Sequence, residues 1–159
     1  MVRNSLMLCL LAFAALFAVP DARAQDSRTL PYWMSISAEE ARMRVGAGRQ
    51  YPVEWVYRRP GLPVKVLRSF QGWRLVEDPD GTQGWIYDSL LSQQRTAMVI
   101  GEGLVPMRET GADSAALRWN LEPGVIGELG ECARNWCELN VNGARGWVMQ
   151  DRLWGAGEP

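Results

Sequence analysis

The chain has 159 residues, with 17 basic and 18 acidic side chains, a net charge of −1 and no histidine. Near-neutrality leaves no electrostatic claim on nucleic acid. The absence of histidine excludes Ser-His-Asp and Cys-His nucleophilic sites and every His-containing zinc site.

The N-terminal segment reads as a targeting signal. Arg3 precedes an uncharged apolar run from Leu6 to Val19, then Pro20 and an Ala22-Arg23-Ala24 cleavage site. Residues 1–24 are therefore expected to be a signal peptide removed after Ala24. The run is shorter than the ~20 residues of a comfortable membrane span, so no membrane attachment is expected after cleavage. The mature chain is expected in the periplasm or outside the cell.

The mature part reads as short strands between turns. Pro31-Tyr32-Trp33 opens the ordered region. Ser37 to Glu40 resembles a capping box, and propensity alone would draw a helix into Met43-Arg44. The matching stretch before Met107 contains Gly101, Gly103 and Pro106, so both stretches are read as extended. Val53, Trp55 and Tyr57 alternate with Glu54 and Val56, the period of a strand that puts Trp55 and Tyr57 on one face. Pro60-Gly61 turns into a strand over 64–68, Gln71-Gly72 into one over 73–76, and Asp78 to Gly81 into one over 84–87. Asp88 to Leu91 reads as one turn of 3₁₀ helix.

The same plan follows again. Ala115 to Trp119 and Val125 to Gly130 read as strands, divided by the Glu122-Pro123-Gly124 turn. Arg134-Asn135 turns into Trp136 to Leu139, and Asn142-Gly143 is a strong hairpin signal before Gly146 to Met149. The duplication is explicit. From Pro60 the chain reads P-G-x11-W-x2-V-x4-G-x2-G-W-I, and from Pro123 it reads P-G-x11-W-x2-L-x3-G-x2-G-W-V. Self-similarity of this kind marks two copies of one folding unit. The expected class is all-β, with two tandem small barrels, 25–94 and 95–159. The polar gap between them is short, so they are expected to sit close together.

The chemical inventory points away from catalysis. Acidic pairs at Glu39-Glu40 and Glu77-Asp78, and Asp80, fall in turns or at predicted surface positions, where solvated charge is the simpler reading. Asp78-x-Asp80-Gly81 lacks the further ligands of a calcium loop. No metal or other cofactor is expected. Cys9 leaves with the signal, and Cys132 and Cys137 remain. In an oxidising compartment they are expected to close a disulfide across a hairpin, contributing about 2 kcal/mol. The C-x4-C spacing is not that of a redox C-x-x-C site.

The repeated unit resembles the bacterial SH3 (SH3b) domain. The resemblance rests on Ala41 to Gly48, Tyr51-Pro52-Val53, Gly61, Val64, Trp73, Val76 and Gly84-Trp85-Ile86. The first copy is closer still to a family of exported alphaproteobacterial SH3-like proteins, through Pro31-Tyr32-Trp33, Tyr51 to Tyr57 and Asp80 to Trp85. The second copy lacks the Tyr-Pro-Val triplet, and Pro106 stands before its Met-Arg pair. The resemblance implies a five-stranded, partly open barrel that binds rather than catalyses, with a groove walled by aromatics. Bacterial members often accompany cell-wall hydrolases and are thought to recognise peptidoglycan or peptides.

The candidate ligand-binding residues are Tyr51, Trp55, Tyr57, Trp73, Trp85, Trp136 and Trp147. Carrying the groove tryptophan across nominates Trp73 and Trp136. For Trp85 and Trp147, a structural place competes with ligand contact, because each indole suits both. Their neighbours Ile86 and Val148 are expected on the opposite strand face. The partner expected is a cell-wall peptide or glycan, or an extended protein segment bound in an aromatic groove. The alternatives are an adaptor for an envelope enzyme or receptor, and a hydrolase relying on carboxylates alone.

Overall fold

The dipeptides read as hairpin turns adopt the left-handed backbone that such turns require. In the computed structural model, which describes residues 28–159, Gln71-Gly72, Arg134-Asn135 and Asn142-Gly143 all have positive φ at both positions. The expected signal peptide lies outside the described residues. No helix among the described residues is long and apolar enough to cross a membrane.

These turns connect two antiparallel sheets of seven strands each. The first contains β1 (Tyr32–Ile36), β2 (Ala41–Arg44), β3 (Val53–Tyr57), β4 (Pro63–Phe70), β5 (Trp73–Glu77), β6 (Gln83–Tyr87) and β7 (Leu91–Ser92), with a 3₁₀ turn at Asp88–Leu90. The second contains β8 (Thr96–Val99), β9 (Val105–Arg108), β10 (Leu117–Leu121), β11 (Ile126–Ala133), β12 (Trp136–Val141), β13 (Ala144–Met149) and β14 (Leu153–Trp154), with a 3₁₀ turn at Gln150–Arg152. The strand orders are β3-β2-β6-β5-β4-β1-β7 and β10-β9-β13-β12-β11-β8-β14, the same order displaced by seven strands. The sequence repeat is thus a repeat of topology.

Several strand ends differ from the sequence reading by a few residues, and two of these differences bear on the packing. Ala115 and Ala116 lie in a loop, held by hydrogen bonds from Ala115 N to Ala112 O and from Glu109 N to Ala116 O. β10 starts two residues later, which carries Leu121 into the core opposite Val105. β11 runs on to Ala133 through a bulge between Leu129 and Cys132. That bulge sets Cys132 opposite Cys137, and the two form a disulfide with Cα atoms 4.0 Å apart.

Each sheet encloses its own core. Val64, Val66, Val76, Ile86, Met43 and Tyr57 belong to the first, and Val99, Val105, Met107, Leu139, Val148 and Leu121 to the second. Gly84 and Gly146 make room for the methionines. A Cβ on Gly84 would lie 2.5 Å from Met43 Cγ, and one on Gly146 would lie 2.6 Å from Met107 Cγ and 2.7 Å from the Arg108 carbonyl oxygen. This explains the repeated Gly before each Trp in physical terms.

The copies are joined by specific contacts. Trp33 and Trp154 meet edge to face at 5.1 Å. Lys65, the chain's only lysine, sets its ammonium 4.9 Å from the Trp154 ring and 3.1 Å from the Glu77 carboxylate. The Glu77 carboxyl is held below its ordinary range, first by a hydrogen bond from Gln83 and then by Lys65. Trp154 Nε1 donates to the Pro63 carbonyl at 3.2 Å, and Thr96 Oγ1 donates to the Gly61 carbonyl at 2.7 Å. Met98 and Ile126 of the second copy pack against the first core.

Three outcomes follow from this packing. Gly84→Ala and Gly146→Ala are each expected to destabilise the fold by about 1–3 kcal/mol through overpacking, read as a lower denaturation midpoint. Reduction of the disulfide is expected to cost about 2 kcal/mol in the same assay. The third outcome concerns Tyr57, whose buried hydroxyl donates to Asp78 Oδ2 at 2.8 Å. Burial, and then Asp78, pushes this phenol well above its ordinary value of 10.0. A raised folded-state pKa contributes stability that is complete below the unfolded value and lost as pH rises past it. Stability is therefore expected to fall from about pH 10 upward by about 1.4 kcal/mol per pH unit, and this component is absent in Tyr57→Phe.

Candidate functional site

Strand alternation decides what faces outward. On β5, Val76 enters the core, so Trp73 and Leu75 face away from it. On β6, Ile86 enters the core, so Trp85 and Tyr87 face away. The register pairs Trp73 with Tyr87 and Leu75 with Trp85, and sets Phe70 opposite Trp73 and Arg44 opposite Trp85. Phe70, Trp73, Trp85 and Tyr87 therefore share one outer face of the first sheet.

Within this face, Trp73 and Tyr87 meet edge to face at 5.3 Å. Trp73 is 8 % exposed and forms the floor, whereas Tyr87 is 37 % exposed and Phe70 more so. The β2–β3 loop borders the face. Arg44 Nη1 donates to the Tyr51 carbonyl at 2.7 Å, and the Arg49 guanidinium lies 5.9 Å from the Tyr87 ring centre. The Tyr51 ring is exposed and packs over Gly46. Arg68 lies 6.0 Å from the Trp85 ring centre. The result is a ribbon of aromatic faces with guanidinium groups beside them, an arrangement suited to an extended ligand bearing flat groups or carboxylates.

The second copy has the same lattice with a different surface. Trp136 and Trp147 occupy the places of Trp73 and Trp85, Met149 that of Tyr87, and Ala133 that of Phe70. Arg108 Nη1 donates to the Ala115 carbonyl at 2.8 Å, as Arg44 does to Tyr51. The loop after Arg108, however, lies on the indoles. A Cβ on Gly111 would stand 2.9 Å from Trp136 Cβ and 3.2 Å from Trp147 Cε3. Trp136 is 7 % exposed beneath it.

The seven residues nominated from sequence thus separate. Tyr51, Trp73 and Trp85 come together on or beside the first outer face. Trp136 and Trp147 lie in the second copy under their own loop. Trp55 and Tyr57 share a strand face as expected, with ring centres 6.5 Å apart, but the face runs into the core. Tyr57 is 6 % exposed and bonded to Asp78, which removes it from the ligand-facing set. Trp55, 57 % exposed, stands beside a pocket of about 270 Å³ with Asp78, Asp80 and Met98 in its walls. Trp85 and Trp147 are half-buried outside the cores, because Ile86 and Val148 take the inward positions.

Sequence reasoning missed Tyr87 and Phe70. The signal for Tyr87 was the two-residue period from Trp85, and for Phe70 its place across the Gln71-Gly72 turn from Trp73. It also missed Trp119, the exposed counterpart of Trp55, which pairs with Met107 as Trp55 pairs with Met43. Among the described residues, no group of three or more His, Cys, Asp or Glu converges as a metal site.

No curated protein matches the chain in sequence. Among solved structures, it is similar to NlpC2 from Trichomonas vaginalis at 10 % identity and a TM-score of 0.36, covering 80 % of this chain and 49 % of that one. It is similar to NlpC1 from Trichomonas vaginalis at 10 % identity and 0.36, covering 82 % and 48 %. An NlpC/P60 family protein from Bacillus cereus matches at 9 % identity and 0.33, covering 77 % and 55 %. The chain spans about half the length of each. The family described as bacterial SH3 domain matches twice, at residues 37–93 and 101–155, and the chain belongs to that family as a tandem pair.

Proposed function

We propose that this chain is a non-catalytic, exported binding module of the cell envelope, and that the outer face of its first copy is the ligand surface. The ligand class is the peptide portion of peptidoglycan or a similar extended peptide. One observation carries this reading. Four rings (Phe70, Trp73, Trp85 and Tyr87) lie side by side on one sheet face, with Arg49 and Arg68 over two of them. Flat aromatic surface takes the backbone and aliphatic parts of an extended chain, and the guanidinium groups take its carboxylates. The copies of a bacterial SH3 domain make a binding fold, and among the described residues Glu40, Glu77 and Asp78, members of the acidic pairs singled out in sequence, are held by turn amides, a side-chain amide or cationic partners. Asp78 holds the backbone amides of Asp80 and Thr82, and Glu40 pairs with Arg42 and Arg58.

The test is retention of the purified chain on isolated sacculi. Wild type is expected to be retained, and Tyr87→Ala and Arg68→Ala each to weaken retention about three- to tenfold, the worth of one aromatic or charge-assisted contact. Trp73→Ala is expected to lose more, with a folding check by near-ultraviolet circular dichroism. Absence of wild-type retention, or retention indifferent to all three changes, would overturn the wall-binding assignment. Photocrosslinking from position 87 that captures a protein instead would transfer the same face to an adaptor role.

A further inference from the structure

Duplication gives the molecule two equivalent patches where the copies meet. In the first copy, neighbouring strands β1, β4 and β5 set Trp33, Lys65 and Glu77 side by side. In register, β8, β11 and β12 set Thr96, Glu128 and Asn140. The first patch is closed by Trp154. The residue of the first copy that matches Trp154 is Ser92, which is too small to close the second patch. That patch opens instead into a cavity of about 480 Å³ walled by both copies. The volume falls within the ~300–1,000 Å³ of small-ligand sites, which favour domain junctions.

We propose that this cleft binds an uncharged saccharide. Two hydroxyls fix its walls by donating to backbone carbonyls: Ser35 Oγ to Gln94 O at 2.9 Å, and Thr96 Oγ1 to Gly61 O at 2.7 Å. The Glu128 carboxylate is held between two amides, Gln94 Nε2 at 2.9 Å and Asn140 Nδ2 at 3.1 Å. Each of its oxygens keeps a lone pair for a further donor, and the Gln94 side-chain carbonyl keeps its own acceptor capacity. The Asn142 side chain, on the same rim, makes no hydrogen bond among the described residues. The cavity lining contains one carboxylate and no cationic side chain, with Arg145 in the adjoining recess beyond Glu128 and Asn140, so an anionic ligand inside the cavity faces the Glu128 charge directly. A sugar hydroxyl both donates and accepts, and a pair of adjacent hydroxyls spans a carboxylate oxygen and a neighbouring amide. An apolar ligand would strand these polar groups without partners. None of the lining residues belongs to the aromatic face, so this site is independent of the one assigned above.

The experiment is calorimetric titration of the purified chain with triacetylchitotriose, alongside trigalacturonate as an anionic oligosaccharide of similar size. Saturable binding of triacetylchitotriose is expected, with none of trigalacturonate. Glu128→Ala and Gln94→Ala are each expected to weaken it about tenfold, the loss of one charge-assisted hydrogen-bond set. Both side chains are exposed, and circular dichroism checks that both variants remain folded. Absence of binding at millimolar sugar, equal binding of trigalacturonate, or affinity unchanged in both variants would overturn the proposal. A loss confined to Tyr87→Ala would do the same, by moving the sugar to the aromatic face. Sacculus retention through that face stands or falls separately.

Discussion

The structure depends on keeping indoles out of two very small cores. Each sheet closes on a cluster made mostly of valine, isoleucine, leucine and methionine side chains, with Tyr32 and Tyr57 in the first, and neither cluster contains a tryptophan. Units of this size sit near the lower limit for an independent core, and the space inside is narrow. Met43 and Met107 fill it by lying over Gly84 and Gly146, where any Cβ would collide with side chain and backbone alike. Once branched aliphatics and a flexible thioether occupy the inward positions, the two-residue period of each strand sends the neighbouring tryptophan outward. The aromatic face is therefore a by-product of how the core is filled, and the same rule produces it in both copies.

The outward indoles then meet different fates. Trp33 and Trp154 are used on each other, with Lys65 between them and Glu77, and they lock the second copy onto the first. A partly exposed lysine–glutamate pair contributes little on its own. Its importance here lies in position: the ammonium lies against two indole faces at a junction where Met98 and Ile126 also bury apolar surface. Two marginal units gain a shared interface in this way, as small scaffolds commonly require. Thr96, Glu128 and Asn140 occupy the equivalent strand positions in the second copy and leave the corresponding space open. One of two register-equivalent patches is closed as a clamp, and its twin is left as a polar cleft.

Much of the fold was legible in sequence because turns and alternation are local. Gln71-Gly72, Arg134-Asn135 and Asn142-Gly143 announce their hairpins, and the repeated Pro-Gly, Trp and Gly-Trp spacing fixes the topology twice. The disulfide was legible for the same reason, since Cys132 and Cys137 flank one of those turns. The site was only half legible. Alternation says that Trp85 and Ile86 face opposite ways but not which way is in. The decisive clue was Gly84, a residue with no side chain on the core side of the same strand. Tyr57 was misassigned because burial changes from exposed to buried within two residues on one strand face, from Trp55 to Tyr57. The junction was beyond sequence reasoning, because Trp33 and Trp154 meet only after both sheets have formed.

The asymmetry of the two copies bears on how binding works. Tandem repetition suggests avidity, in which a second identical contact raises affinity through effective concentration. That arithmetic needs two open sites. In the first copy, the loop from Val45 to Pro52 stands beside the rings, held by Arg44, with the Arg49 guanidinium near the Tyr87 ring. In the second, Gly111 brings loop backbone down onto Trp136 and Trp147, and any larger residue there would lift it. Methionine and alanine replace the tyrosine and phenylalanine at the margin. Loop backbone thus lies against the second outer face, and on the proposed assignment the open rings at the margin, Tyr87 and Phe70, belong to the first copy alone. What the second copy supplies is support for the first core and one wall of the cleft between them, so its contribution is made at the junction.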